Sequence, residues 1–127
     1  MIFVIQEHFA SHHHFDFRIE MDGVLKSWAV PKEFPQKEGE KKLAIEVEDH
    51  PIEYANFEGE IPEGYYGAGT VKIWDKGSYN LLEKDERKLV IDINGKKIKG
   101  KYVLLFFKKE KGKNLWLIFK KKDEDGN

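Results

Sequence analysis

Residues 12–20 read HHHFDFRIE, and residues 22–30 read DGVLKSWAV. In the first segment the even positions are polar and the odd positions from Phe15 onward are apolar, which is the period-2 pattern of a β-strand with one buried face. Asp22-Gly23 favours a two-residue hairpin turn, because both residues tolerate a positive φ. The two segments therefore predict a β-hairpin whose first strand carries a row of polar side chains on one face.

The rest of the chain repeats this organisation of short strands and turns. Asn94-Gly95 is the strongest short hairpin signal. Lys111-Gly112 separates two runs that are apolar on both faces, and the three segments together predict a central hairpin. Strands after the first hairpin are predicted within residues 43–50, 71–73, 89–93, 102–107 and 115–119.

Glycines lie mainly between the predicted strands, and no long amphipathic helix is found, so residues 33–42 and 56–68 are predicted to be loops. About seven or eight short strands at this spacing are typical of a small barrel or sandwich. We predict one mainly all-β domain over residues 1–127, a small closed or partly closed β-barrel with long loops and little helix. Its interior would be filled by the nine phenylalanines and by Trp28, Trp74 and Trp116.

Cysteine is absent from the chain, which excludes disulfides, thiolate metal sites and a thiol nucleophile. Any metal would have to be held by histidine, aspartate or glutamate. No stretch approaches the roughly 20 apolar residues of a membrane span, and the apolar residues 1–5 lack the basic flank of a signal peptide. We therefore expect a cytoplasmic protein with no membrane partner.

The net charge of −1 hides a strong asymmetry along the chain. Residues 1–83 hold 8 Lys and Arg against 16 Asp and Glu, whereas residues 84–122 hold 14 against 4. Only Arg18 and Arg87 are arginines, so the basic segment is almost entirely lysine, a point charge suited to nonspecific attraction of phosphate. The basic segment is interpreted either as a nucleic-acid contact or as a solvated lysine surface.

Two polar rows carry the candidate chemistry. If they meet across a barrel mouth, imidazoles and carboxylates converge with cations beside them, which predicts a metal site facing an anion such as phosphate. Mixed ligands of this kind suit manganese, iron, cobalt or zinc, and the alternative is a solvated histidine cluster. The first row consists of His12, His14, Asp16, Arg18 and Glu20. The second consists of Lys42, Glu46, Glu48 and His50.

Ordered strings of residues along nearly the whole chain resemble the 3′-phosphoesterase module of the bacterial end-joining ligase D family. The resemblance implies a compact β-barrel enzyme that uses manganese, with cobalt or zinc as alternatives. It implies removal of a 3′-terminal ribonucleoside and then of the 3′-phosphate from DNA or RNA–DNA 3′ ends such as those of primer-templates. It also implies a separate ligase or polymerase as partner. The matching segments are residues 3–8, 12–20, 22–32, 43–51, 54, 57–59, 61–62, 64–71, 74–75 and 116–120.

The resemblance also implies roles for individual residues. The metal ligands would be His8, Asp16 and His50. The scissile phosphate would be contacted by His14, as phosphate contact or proton donor, and by Arg18. The ligands or an attacking water would be oriented by Gln6 and Glu48. The phosphate pocket would be completed by Lys32, Lys42 and Tyr54.

Three departures from the family pattern modify these expectations. Position 42 is lysine where arginine is usual, and a point charge cannot bind phosphate bidentately, so we expect a weaker monoesterase step. Glu7 adds a negative charge beside the site. Members commonly carry a basic arm upstream of the first strand, and because this sequence starts at that strand, we expect weaker duplex affinity or ribonucleoside removal.

Two other functions fit parts of the sequence. A barrel that only binds nucleic acid would explain the lysine-rich segment but would leave His8, Asp16 and His50 without a role. A two-histidine, one-carboxylate iron oxygenase would use His14, Asp16 and His50, although the chain is short for that scaffold. End-labelled DNA with manganese separates the first alternative, and an oxo-acid turnover assay separates the second.

Overall fold

The computed structural model describes residues 1–122; the last five residues of the predicted domain lie outside this range. Within it the chain forms nine strands and one 3-10 helix, which confirms the mainly β fold with little helix. The strands are β1 (Ile2–Phe9), β2 (His14–Met21), β3 (Val24–Pro31), β4 (Lys42–His50), β5 (Gly59–Ile61), β6 (Gly69–Asp85), β7 (Lys88–Asn94), β8 (Lys99–Glu110) and β9 (Lys113–Lys120), and the helix η1 is Ile52–Asn56.

All neighbouring strands pair antiparallel, in the order β1-β2-β3-β4-β9-β8-β7-β6-β5. A further pairing between β1 and β6 closes eight strands into a barrel, and β5 adds one short strand to the edge of β6. The long strand β6 reaches three neighbours because its first residues pair with β1 and β5 and its last residues with β7. The prediction of a small closed barrel is confirmed.

Two of the predicted hairpins have the expected tight turns. Asp22 and Gly23 join β2 to β3 with φ values of 54° and 83°, and Lys111 and Gly112 join β8 to β9 with φ values of 50° and 79°. Positive φ at both central residues matches the right-handed twist of the flanking strands.

The hairpin after Asn94 has a longer turn than its sequence predicts. Asn94 pairs with Lys99, so four residues form the connection. The buried carboxylate of Asp75 accepts hydrogen bonds from the backbone N–H groups of Lys96, Lys97 and Ile98 at 2.9 to 3.0 Å. A side chain from a distant strand therefore satisfies the backbone of this wider turn.

The odd residues of β2 point into the barrel, where Phe15, Phe17 and Ile19 join the core. Trp28 and Trp116 are buried there, and Trp74 packs against the cluster. The prediction that all nine phenylalanines fill the interior is wrong, because Phe9 and Phe107 are 44% and 51% exposed.

The even residues of β2 therefore face outward, together with the even residues of β1. Helix η1 packs over this outer face, where Ala55 forms a small apolar cluster with Val4 of β1 and Leu25 of β3. The first polar row consequently lies on the outside of the barrel wall, under a cover of helix and loop, and not across a barrel mouth.

No helix among residues 1–122 has the length and apolar character needed to cross a membrane.

Candidate active site

The site is assembled by the pairing of β1 with β2. Gln6 lies opposite Asp16 and His8 lies opposite His14, so these side chains share the outer face of the sheet. Arg18 follows on β2 on the same face. The polar row predicted from alternation on one strand is thus widened by a second row from its neighbour.

Asp16 is the centre of this cluster and is 7% exposed. Its Oδ2 lies 3.5 Å from His8 Nδ1 and 3.6 Å from Arg18 Nη2, and its Oδ1 lies 3.2 Å from His14 Nε2. Burial alone would raise the pKa of this carboxyl. The hydrogen bonds from His14 and His8 and the charge of Arg18 outweigh burial and hold the pKa well below its usual range.

A backbone carbonyl orients the imidazole of His8, and another orients that of His14. His8 Nε2 lies 2.8 Å from the carbonyl of Gly67, and His14 Nδ1 lies 2.9 Å from that of His12. A carbonyl only accepts, so each of these nitrogens donates its hydrogen. The other nitrogen of each ring faces Asp16, where it donates to the carboxylate when it carries a proton and offers a lone pair to a metal when it does not.

This arrangement fits a divalent metal. One ligand atom from each of His8, His14 and Asp16 can be chosen so that all three lie within 4.8 Å of one another. Two imidazoles and a carboxylate, with imidazole N–H groups held by carbonyls, are a common ligand set for transition metals. The hydrogen bond that His14 Nε2 donates to Asp16 raises the pKa of His14, so a metal bound by that ring would compete with a proton.

Arg18 lies beside the group and is 4% exposed. Its Nε donates to Gln6 Oε1 at 2.7 Å, its Nη1 lies 3.1 Å from His50 Nδ1, and its Cζ lies 5.0 Å from the centre of the Tyr54 ring. Burial lowers the pKa of the guanidinium, but from a starting value so high that the group stays charged. A fixed positive charge therefore stands next to the carboxylate and imidazoles.

Gln6 is fully buried and holds Arg18 in place. Its Nε2 donates to the carbonyls of Tyr54 at 2.8 Å and Phe57 at 3.2 Å, which leaves Oε1 facing Arg18. The helix η1 and the segment after it thus fix the guanidinium through one amide.

His50 reaches this cluster from β4. Its ring lies 4.7 Å from the Tyr54 ring, and its Nδ1 lies 3.1 Å from both Arg18 Nη1 and the carbonyl of Glu48. Burial and the charge of Arg18 lower the pKa of His50. A carbonyl only accepts, so Nδ1 donates its hydrogen to Glu48, and the neutral imidazole then carries its lone pair on Nε2.

The predicted second polar row does not lie on one face of β4. Leu25 pairs with His50 but Ser27 pairs with Val47, so a register shift separates the two ends of the strand. The structure therefore brings His50 to the site, whereas the beginning of β4 presents its side chains in a different phase of the alternation.

Before the shift, the even-numbered residues of β4 lie on the same side of the strand as Ala44, which is fully buried in the core. Glu46 accepts a hydrogen bond from Trp116 Nε1 at 2.8 Å, and the ion pairs of Lys42 are with Glu33 and Glu40 at 3.9 Å.

The backbone of Lys32 lies next to the site. It follows β3 with a φ of 69°, and its N–H donates to the carbonyl of His13 at 3.2 Å.

The model of the DNA Ligase D 3′-phosphoesterase domain family matches residues 6–106, which include every residue of this cluster. The chain belongs to this family. The multifunctional non-homologous end joining DNA repair protein LigD of Mycobacterium tuberculosis is 50% identical over an alignment of 107 residues that covers 81% of this chain and 14% of that protein. The end joining protein LigD of Pseudomonas aeruginosa is 45% identical over 108 residues, covering 81% of this chain and 13% of that protein.

The chain thus spans about one seventh of the length of these curated relatives. Membership in the 3′-phosphoesterase family favours the phosphoesterase interpretation over the bare binding barrel and the iron oxygenase.

Sequence reasoning missed the backbone groups of this 3′-phosphoesterase domain that hold its side chains. The carbonyl of Gly67 orients His8, and the carbonyls of Tyr54 and Phe57 hold Gln6. The glycine-rich segment gave a signal, since Gly64 and Gly67 adopt φ values of 89° and 77° that other residues rarely take. A loop shaped by such glycines can bring a carbonyl against a side chain.

Proposed function

We propose that this domain is a manganese-dependent 3′-phosphoesterase that repairs DNA ends in the cytoplasm. It would remove 3′-terminal ribonucleosides and 3′-phosphates, leaving a 3′-hydroxyl for a separate ligase or polymerase. The observation that supports this most directly is the group of His8, His14 and Asp16 beside the buried charge of Arg18. Family membership supports the choice of a 3′ phosphate ester as substrate.

The side chains would divide the work of phosphate ester hydrolysis. When bound, a divalent cation supplies positive charge that polarises a phosphoryl oxygen and lowers the pKa of an attacking water. Arg18 binds the phosphate oxygens and stabilises the charge that they gain in the transition state. Because Gln6 and the Tyr54 ring already fix its guanidinium, little reorganisation is needed when the substrate binds.

His14 is suited to hold a proton, since its hydrogen bond with Asp16 raises its pKa. In this role it donates that proton to the leaving oxygen or contacts the phosphate directly. Glu48 would orient the attacking water. Lys32, Lys42 and Tyr54 would complete the phosphate pocket, with Lys32 the better placed of the two lysines because its backbone bonds to residue 13.

Two sets of metal ligands are compatible with this site, and they differ in the third ligand. His8 and Asp16 belong to both. The structure groups them with His14, whereas the family resemblance adds His50, whose Nδ1 lies beside Arg18 so that Nε2 would bind the ion. Only one of the two histidines is then a ligand, and the other is free to act on the phosphate.

Release of phosphate from a 3′-phosphate DNA end with Mn²⁺ tests the function. We expect His8→Ala to abolish it, because the ring supplies a ligand atom, while the circular dichroism spectrum stays that of the folded wild type. Unchanged activity in this variant would refute the ligand assignment. His12→Ala, on the exposed residue next to the cluster, is the matched control and should retain activity.

Mn²⁺ titration by calorimetry identifies the third ligand. His14→Gln and His50→Gln are compared at equal pH. The variant that removes a ligand should weaken Mn²⁺ binding by at least about 10-fold, and the other should bind Mn²⁺ normally but turn over slowly. Normal binding in both variants would contradict a three-residue site of either composition.

A further inference from the structure

Two exposed tyrosines lie on the loop beside the metal-ligand group. Tyr65 and Tyr66 are 69% and 95% exposed. The next residue, Gly67, is the one whose carbonyl accepts the hydrogen bond from His8 Nε2 at 2.8 Å. Since consecutive Cα atoms are about 3.8 Å apart, Tyr66 is attached directly to the backbone that positions His8.

The loop that carries these rings has a defined shape. The N–H of Tyr65 donates to the carbonyl of Pro62 at 3.3 Å, and the N–H of Ala68 donates to the carbonyl of Tyr65 at 3.2 Å. Gly64 and Gly67 take positive φ values on either side of the pair. The two rings are therefore presented to solvent by hydrogen-bonded turns, which lowers the entropy lost when a ligand binds them.

A third aromatic ring near His8 differs from these tyrosines. Phe9 is also exposed, but its ring stacks on His13 with 5.0 Å between centroids and 18° between planes. In the part of the chain that the structure describes, neither Tyr65 nor Tyr66 has such a ring partner. The tyrosines thus offer free aromatic faces next to the group that would bind the 3′ ester.

We propose that Tyr66, supported by Tyr65, stacks on the terminal nucleobase of a DNA 3′ end and so increases the affinity for that end. The proposal rests on the proposed 3′-phosphoesterase function. Every base has an aromatic face, so stacking is tolerant of sequence and suits an enzyme that must accept any end. It implies that the enzyme prefers a 3′-phosphate end with a terminal base over an abasic end of the same charge.

Oligonucleotides that end in a 2-aminopurine nucleotide or in an abasic nucleotide, both with a 3′-phosphate, test the proposal. Stacking quenches 2-aminopurine fluorescence, and this readout needs no metal. We expect wild type to quench it and to have a KM about 10-fold lower for the end with a base. Tyr66→Ala should raise that KM about 10-fold with little change in kcat and should lose the quenching.

Two control variants separate stacking from other effects. Tyr66→Phe keeps the ring and should behave as wild type. Phe107→Ala removes an exposed aromatic ring from β8 and should also behave as wild type.

Equal KM values of wild type for the two ends, or quenching that survives in the double variant Tyr65→Ala/Tyr66→Ala, would overturn the proposal while phosphate release stays intact. Quenching without phosphate release from any end would instead refute the proposed function and support the stacking.

Discussion

Two outer faces of the barrel carry polar residues in opposite ways. On β1 and β2, Gln6, Asp16 and Arg18 are at most 7% exposed, and each has a partner within the protein. Around the closed strand order, β8 and β9 lie three or four strands away from β1 and β2, on the other side of the barrel. The outer face there holds a groove of about 360 Å³ with apolar side chains between lysines. We call this the lysine face, defined by Lys88, Lys101 and Lys121.

The difference between the two faces is a difference in solvation. A buried charge is tolerated only when partners replace the water that it loses, so the site face is a connected network in which each removal leaves another group unpaired. On the lysine face an ion pair such as that of Lys88 with Glu83 at 3.3 Å stays exposed to water, which solvates each charge whether or not the pair is made. Mutations should therefore have large, coupled effects on the site face and small, separate effects on the lysine face.

The two arginines give the sharpest version of this comparison, because Arg18 is buried in the site and Arg87 is exposed in the turn before β7. Arg18→Ala removes the donor to Gln6 Oε1 and the positive charge beside Asp16, and we expect a loss of about 10²- to 10³-fold in turnover and of about 3–5 kcal/mol in the free energy of unfolding. Arg87 is exposed and packs over Phe106 at 5.0 Å, so Arg87→Ala should change stability by less than about 0.5 kcal/mol.

Urea unfolding and phosphate release of both variants measure this difference. Similar losses in the two variants would show that the network around Arg18 is not special. Arg18→Lys keeps a charge but not the planar contact with Gln6, and should recover stability more than turnover.

Asp16 gives a pH-dependent comparison within the site face. Its pKa in the folded protein lies below the usual range, so the folded state binds fewer protons than the unfolded chain. The stability that this carboxylate contributes is therefore present above a pH of about 4 and is lost as the pH falls further. We expect the stability difference between wild type and Asp16→Asn to shrink between pH 5 and pH 3, about where unperturbed aspartate titrates. Urea unfolding at several pH values measures it, and a constant difference would contradict this account.

Gln6 tests whether the network extends beyond charged groups. Gln6→Ala leaves the carbonyls of Tyr54 and Phe57 and the Nε of Arg18 without this amide. We expect a loss of about 1–3 kcal/mol in the free energy of unfolding and of about 10- to 100-fold in turnover. Chemical denaturation and phosphate release are the measurements.

Asn114→Ala is the matched control for the amide. The Asn114 side chain donates to Glu46 at 3.4 Å, but Trp116 keeps that carboxylate satisfied at 2.8 Å. A loss as large as that of Gln6→Ala would show that removal of an amide hydrogen bond alone, and not its place in the site, sets the cost.

These contrasts follow residue patterns that were only partly visible in the sequence. Alternation on β2 predicted that His14, Asp16 and Arg18 share a face, because side-chain direction in a strand has a strict period of two. Both I′-type turns were visible for the same reason, since they depend on two adjacent residues.

What the sequence could not predict depended on distant contacts. The register shift that separates His50 from the start of β4 has no local signal, because a bulge is decided by the strands on either side. The four-residue turn after Asn94 depends on Asp75, which lies on another strand. Alternation within β2 also does not determine what covers its polar face, and the packing of η1 over this outer face depends on contacts with β1 and β3.

The smallest effects should come from the lysine face itself. We expect the triple variant Lys88→Gln/Lys101→Gln/Lys121→Gln to change KM for a DNA 3′ end by less than about threefold at 0.15 M salt, since the Debye length there is about 8 Å and the face lies across the barrel. Lys32→Gln, next to the site, should raise KM more.

If instead the triple variant weakens DNA binding more than 10-fold and lowers the salt dependence by about three counterions, the lysine face contacts the nucleic-acid backbone. The number of lysines is therefore not what sets the effect on DNA binding. We expect the effect to depend on how close each lysine lies to Arg18.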